Sequence, residues 1–350
     1  MARCSFCERP AEESRYLVAG PRGVAICQDC AQVAVEIADA AQPPPGDLVL
    51  TGIGTLVTND PRRGGRLGIV EDAALAVRRG RITWVGPESH LPDRYRQLEE
   101  IPCGGRAVIP GLVDASNRLL AVPIDPADDP VGLTLDRLER GLARGVTAVD
   151  LRVAGDPLLL AAARQVVDRS PVRVSVTWVV DQPDSALAEA ALAAVSAVEL
   201  RGPAGFDLPD LTPVRLRGPD ASPPRGSRVL SREGCPGEGG VELVEAAWLI
   251  EGSVDPAADP LALASGSGDP IQMPGPHLAA AVAVLRGMDP LRALWAVTRG
   301  GGMAVGDREA GRLRPGDRAD LVVVDSPDPT ALLFDPDRVF SVVVDGGLVP

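Results

Sequence analysis

Beyond residue 46 the chain opens on short alternations of apolar and polar positions. DLVLTGIGTLVT and AALAVRRGRITWVG both follow the two-residue period of half-buried strands, and Arg79-Gly80, set inside the second run, predicts a hairpin turn. From Ile109 the pattern changes to apolar runs separated by helical stretches. IPGLVDASNRLL, GVTAVDLRV, PVRVSVTWVV, AVELRG, PVRLRG and SRVLSR read as buried parallel strands. Leu133, Leu135, Leu138 and Leu142 mark an amphipathic helix between the first two strands. Asp156-Pro157 starts the helix PLLLAAARQVVDR, SALAEAALAAV forms another, and Asp289-Pro290 starts one running into LRALWAVTRGG. Val241 to Gly252 fits helix or strand equally well. Alternation of strand and helix over about 200 residues predicts the α/β class.

Ahead of this region lie Cys4-x-x-Cys7 and Cys27-x-x-Cys30. Two such knuckles can close a tetrahedral thiolate shell around one zinc ion, and the spacing between them is usual for such sites. A disulfide pair or a redox motif is the competing reading, and a reducing cytosol disfavours it. Ala31 to Ala41 then reads as a short helix, and the prolines of Gln42 to Gly46 as an extended linker.

Composition removes several function classes. A net charge of −13 disfavours a general attraction to nucleic acid phosphates. All 35 cationic residues are arginine, which excludes lysine Schiff-base chemistry, a phosphate-loop lysine and a carbamylated lysine bridging two metals. Neither an apolar signal core in the first 40 residues nor a membrane-length apolar run occurs, so a cytoplasmic protein without membrane contact is expected.

Two resemblances add to this reading. CSFCERPAEESRYLVAGPRGVAICQDC is similar to the zinc-binding module of the ClpX unfoldase family, a small treble-clef unit that dimerises and receives adaptors or unfolded chains. The resemblance implies zinc held by Cys4, Cys7, Cys27 and Cys30, with a protein partner, an unfolded chain or a second copy as what the module binds. Zinc serving only to fold a segment too small for its own core remains the plainer alternative. No G-x-x-x-x-G-K-[ST] motif follows, so the unfoldase motor is absent.

IPGLVDASNRLL resembles the opening barrel strand of the amidohydrolase superfamily, in its imidazolonepropionase-like branch, whose pattern is P-G-hydrophobic-hydrophobic-D-x-H-x-H. DLVLTGIGTLVTNDP, EDAALAVRRGRITWVGP, AGRLRPGDRADLVVVD and FSVVVDGGLV resemble that branch's β-subdomain, which both chain ends build together. PLALASGSGD resembles its eighth strand. The implied organisation is a zinc module over 1–41, a linker over 42–46, a composite β-subdomain from 47–108 and 309–350, and a TIM-like (β/α)8 barrel over 109–308, near the lower size limit of that fold.

The family's chemistry requires a metal held by histidines from several strands. Here Ser116 and Arg118 occupy the two histidine positions of the first strand, and Gly266 aligns with the eighth-strand aspartate, with Asp269 three residues on. The chain's two histidines, His90 and His277, are expected at the surface or at a helix cap. These departures predict a barrel without a metal cofactor. Ser116 and Ser265 have no histidine base beside them. Cys103 and Cys235 read as packing residues, and Asp114 with Asp150 is the remaining acid–base pair.

Arginines recur at the predicted strand tips: Arg118, Arg152, Arg201, Arg217 and Arg232. Together with Ser116 they either line a pocket for a small carboxylate or phosphate ligand or form an internal network with Asp114, Asp150 and Glu199. The sequence therefore points to a zinc-binding protein with a non-catalytic barrel that binds a protein partner or unfolded chain and forms a homodimer. The alternatives are a hydrolase of non-peptide carbon–nitrogen bonds and a binder of small anions.

Overall fold

The computed structural model describes residues 3–14, 16–20, 23–33, 47–118, 120, 129–154, 156–180, 195–200, 212–217, 221–222, 228–233, 240–246, 259–266 and 275–349. The linker, the helix expected over SALAEAALAAV save its last residue, and Arg201, Cys235 and Asp269 lie outside them. Near the N-terminus, β1 (Leu17–Ala19) pairs antiparallel with β2 (Ala25–Cys27).

Five strands follow: β3 (Leu48–Val57), β4 (Ile69–Arg78), β5 (Arg81–Pro87), β6 (Glu99–Pro102) and β7 (Val108–Pro110). β4 and β5 form the expected hairpin, with Arg79 and Gly80 both at positive φ, as a tight turn matched to strand twist requires.

The barrel strands are β8 (Leu112–Asn117), β9 (Val146–Ala154), β10 (Arg173–Val180), β11 (Ala197–Leu200), β12 (Pro213–Arg217), β13 (Arg228–Glu233), β14 (Val241–Glu245) and β15 (Leu261–Ala264). All eight run parallel in sequence order, giving the expected TIM-like barrel, nearly closed. The ambiguous segment at Val241 resolves as strand at its start. Between them, α1 (Pro130–Leu142) and α2 (Pro157–Arg169) begin at Asp129 and Asp156, whose carboxylates accept the amides of Val131 and Leu158. On α1, Leu138 and Leu142 are buried as expected, but Leu133 is exposed because Val131, Thr134 and Gly141 complete the inward face instead.

After the barrel come α3 (His277–Leu285), α4 (Pro290–Trp295), α5 (Gly301–Ala304), β16 (Leu321–Val324), α6 (Ala331–Phe334), β17 (Val339–Val344) and β18 (Gly347–Val349). The late strands return to the early ones in a single sheet ordered β18-β17-β16-β7-β3-β4-β5, with β6 beside β3. β7 takes the first residues of the expected first barrel strand into this sheet, pairing Ile109 with Val322. The strand breaks at Gly111, where a Cβ would stand 2.0 Å from the Thr147 hydroxyl oxygen, and the Gly111 amide instead donates to Asp320.

Apolar burial is concentrated between the barrel's outer wall and its helices, where Leu112, Leu151, Val153, Val166 and Leu294 belong to one cluster. Each such side chain contributes roughly 1.5–3 kcal/mol. A second cluster fills the β-subdomain and includes Cys103, whose thiol is pushed up to about 12 by burial. The barrel interior is different, because ion pairs cross it. Arg215 lies 3.1 Å from Asp150 and donates 2.9 Å to the Ala115 carbonyl on the far side. Arg152 lies 3.0 Å from Glu199, and all four ionic side chains are at most 1% exposed. Ser175 and Thr177 also donate to Asp150, at 2.7 and 3.0 Å.

His90 is exposed in a 3-10 turn, whereas His277 is buried rather than at the surface or capping its helix. Gly275 leaves room for its ring, and its Nε2 lies 3.2 Å from the Arg144 carbonyl. Burial, opposed by that hydrogen bond, lowers its pKa from 6.5 to about 4.

Two predictions follow from these buried groups. Between pH 6.5 and about 4 the unfolded chain takes a proton that folded His277 refuses, so its contribution, up to about 3 kcal/mol, is lost as pH falls through that window. Urea unfolding should therefore show a smaller loss of stability on acidification in His277→Gln than in the parent. For the barrel interior, Arg215→Met leaves Asp150 without its guanidinium and should cost about 3–5 kcal/mol. Adding Asp150→Asn should recover part of that loss, a coupling that a denaturant double-mutant cycle measures.

Candidate functional site

The N-terminal knuckles are built by local hydrogen bonds. The Cys4 amide donates to Arg9 O and the Glu8 amide to Cys4 O, folding residues 4–9 into a tight loop with Glu8 at positive φ. Ser5 then ties this loop to β2, its amide donating to Ala25 O and its hydroxyl accepting from Ala25 N. Cys27 ends β2, and Cys30 follows one helical turn later, within helical residues 28–33.

The sulfur atoms of Cys4, Cys7, Cys27 and Cys30 consequently lie within 4.8 Å of one another. They are the metal-binding cluster found among the described residues, and together they could hold one zinc ion. Burial opposes ionisation of Cys4, but amide donors from Cys7, Cys27 and Phe6 outweigh it and bring its pKa down to about 6. Cys30, hydrogen-bonded to Cys7 and partly desolvated, is pushed up to about 12.

The second candidate site is at the C-terminal tips of the barrel strands, where enzymes of this architecture place reactive groups. Its centre is Glu245, the last residue of β14, with a side chain only 4% exposed. The Ser116 hydroxyl donates to Glu245 at 2.7 Å, and guanidinium nitrogens of Arg118, Arg152 and Arg217 lie at 3.3, 3.4 and 3.2 Å. Four residues from β9, β12 and the end of β8 thereby converge on one carboxylate. Burial lowers the pKa of Arg118, and neighbouring Arg217 and Arg152 add to the shift against the opposing pull of Glu245.

Asp114 is held apart from this cluster. Its carboxylate accepts from the Ser265 amide at 2.9 Å, the Ser265 hydroxyl at 2.7 Å and Asn117 Nδ2 at 3.0 Å. The two Ser265 bonds, with Gly266 N donating to Ser116 O, join the first and last barrel strands where no β-ladder does. Burial raises the pKa of Asp114, with the Ser265 and Asn117 hydrogen bonds pulling the other way. Gly266 is at positive φ, and a Cβ there would meet Glu245 Cβ at 2.6 Å.

Of the strand-tip residues singled out from the sequence, the structure brings Ser116, Arg118, Arg152 and Arg217 together on Glu245. Arg232 is buried on β13, and Arg201 lies outside the described residues. Glu199 and Asp150 pair with Arg152 and Arg215 deeper in the barrel, so Asp114 and Asp150 form no acid–base pair with each other. Sequence reasoning missed Glu245 and Arg215. The alternation in VELVE was the signal for the first, and the two-residue spacing of Arg215 and Arg217 on one strand face was the signal for the second.

Comparison with known proteins agrees with both halves of this description. Residues 2–40 match the ClpX C4-type zinc finger family. Imidazolonepropionase from Paracoccus denitrificans is 25% identical over 80% of this chain and 94% of its own length. The corresponding protein from Salinispora tropica is 27% identical over 83% and 95%. Among solved structures, A. niger ochratoxinase superposes with a TM-score of 0.64 at 16% identity, covering 87% of this chain and 95% of that one. Molinate hydrolase gives 0.63 at 15% identity, over 87% and 95%. Among the described residues, no helix is long and apolar enough to cross a membrane. The chain thus joins a ClpX C4-type zinc finger to an imidazolonepropionase-like domain of amidohydrolase fold.

Proposed function

We propose that this protein works by binding, in the cytoplasm, with one structural zinc in its N-terminal module and a barrel that does not perform metal-assisted turnover. The zinc module is then the part that meets a protein partner, an unfolded chain or a second copy. One observation carries the reading: Glu245 at the strand tips is surrounded by Arg118, Arg152 and Arg217 and bonded by Ser116.

These residues do not fit a catalytic divalent ion as they stand. A guanidinium offers no lone pair, Ser116 gives its proton to Glu245, and Asp114 is occupied by Ser265 and Asn117. An unneutralised guanidinium about 4 Å away would oppose a divalent ion by about 8 kcal/mol at an effective dielectric of 20, twice the value for unit charges. The two histidines stand elsewhere, His90 exposed on the β-subdomain and His277 against Arg144. The same contacts favour an internal charge network over an open anion pocket at this end.

A second reading is favoured by the similarity to imidazolonepropionases over most of the chain: hydrolysis of a non-peptide carbon–nitrogen bond, as in a cyclic amide. That chemistry needs an activated water, for which the tips supply carboxylates already bonded to arginine, serine or asparagine.

Metal analysis of the purified full-length protein, with hydrolysis assays on imidazolones and other cyclic amides, separates the two. The binding reading expects about one zinc per chain, its loss in Cys27→Ser, and no hydrolysis with or without added divalent metal. Metal retained by Cys27→Ser together with turnover of a cyclic amide would establish the hydrolase reading instead. Sedimentation of the parent and Cys27→Ser tests the partner role, since a zinc-dependent dimer should revert to monomer in the variant.

A further inference from the structure

The N-terminal face of the barrel, opposite Glu245, contains a cavity of about 450 Å³ between the starts of β9 to β13 and the turn at residues 305–308. That volume suits a small metabolite. Arg173, Arg228, Arg308 and Arg318 all line it, with Asp307 as the acid among the lining residues. Two of these arginines are already engaged. Arg173 lies 2.6 Å from Asp320 and 3.4 Å from Asp345, while Arg318 pairs with Asp307 and lies 3.3 Å from Glu309. Asp307 is further drawn into its turn by the amides of Glu309 and Ala310, at 2.8 and 3.1 Å.

Arg228 and Arg308 differ, because neither guanidinium has an acidic partner among the described residues. Arg228 reaches over the rim, its nitrogen 3.6 Å from where a Cβ of Gly306 would stand. The Ser196 hydroxyl accepts from the Val176 amide at 3.2 Å, which leaves its own proton to donate. At the strand tips each arginine of the cluster is within 3.4 Å of Glu245, whereas no acid among the described residues meets Arg228 or Arg308.

We infer that this cavity binds a small dianion bearing carboxylate or phosphate oxygens. Arg228 and Arg308 supply its unbalanced charge, and Arg173 and Arg318, fixed by their aspartates, supply directed N–H groups. Two cations without acidic partners on the wall of one cavity are matched by two negative charges, and guanidinium forks match carboxylate and phosphate geometry. The inference concerns the face away from the strand tips and stands whichever reading of the tips holds.

Titration calorimetry and thermal unfolding of the full-length protein with inorganic phosphate and with succinate, at ionic strength held constant with chloride, test it. Saturable binding of at least one of the two is expected, with the effective anion identifying the oxygen chemistry of the ligand. Arg228→Gln/Arg308→Gln, changing two exposed residues, should weaken that binding about tenfold or more. Arg164→Gln/Arg169→Gln removes the same charge from the exposed face of α2 and should leave it unchanged. Three outcomes would overturn the inference: no saturable binding by the parent up to about 10 mM, equal weakening in both double variants, or loss of binding in Arg118→Ala alone.

Discussion

A carboxylate taken out of water is stable only where positive charge and hydrogen-bond donors surround it, and in this barrel that constraint falls on Glu245. Three guanidinium groups and one hydroxyl meet there from strands on different sides of the barrel. Removing Glu245 would leave three guanidinium groups facing one another without their shared anion, and removing Ser116 would take away the neutral donor that the carboxylate accepts from. The interior ion pairs Arg152–Glu199 and Arg215–Asp150 extend the same logic downward, so electrostatic matching occupies space that aliphatic layers fill in other barrels.

This arrangement assigns different tasks to the two faces of each strand. Outward residues such as Leu151 and Val153 join the helices through non-directional burial. Inward residues of the same strand, Asp150 and Arg152, are satisfied only by particular partners at particular distances. The outer wall can therefore tolerate exchange among apolar residues of similar volume, while the inner wall specifies register and strand order. The joint between β8 and β15 illustrates the point, since Asp114 closes the barrel by accepting from the Ser265 amide and hydroxyl rather than through a ladder.

Much of the architecture was legible from local pattern. Period-2 alternation located the hairpin around Arg79-Gly80, aspartate–proline pairs located two helix starts, apolar runs located the first six barrel strands, and the family resemblance of PLALASGSGD located the eighth. What escaped was decided by distant parts of the chain. The break at Gly111 depends on Thr147 and Asp320, and the burial of His277 depends on Gly275 and Arg144. Cysteine spacing sufficed for the zinc cluster because all its ligands arise within a few dozen residues. At the strand tips, arginines were visible as residues, but their shared anion sat in a segment whose helical and extended readings were balanced.

Gly266 and Glu245 hold a relation that reaches beyond this one conformation. The position a side chain at 266 would need is already filled by the Cβ of Glu245, so bulk at 266 is incompatible with any side chain at 245. A substitution at 266 meets a steric barrier and a positive-φ backbone at once. Shortening position 245 to alanine removes the Cγ and Cδ contacts at 2.7 and 2.6 Å but leaves the Cβ contact at 2.6 Å, so the steric part persists. Position 266 is thus held to glycine for as long as position 245 carries any side chain at all.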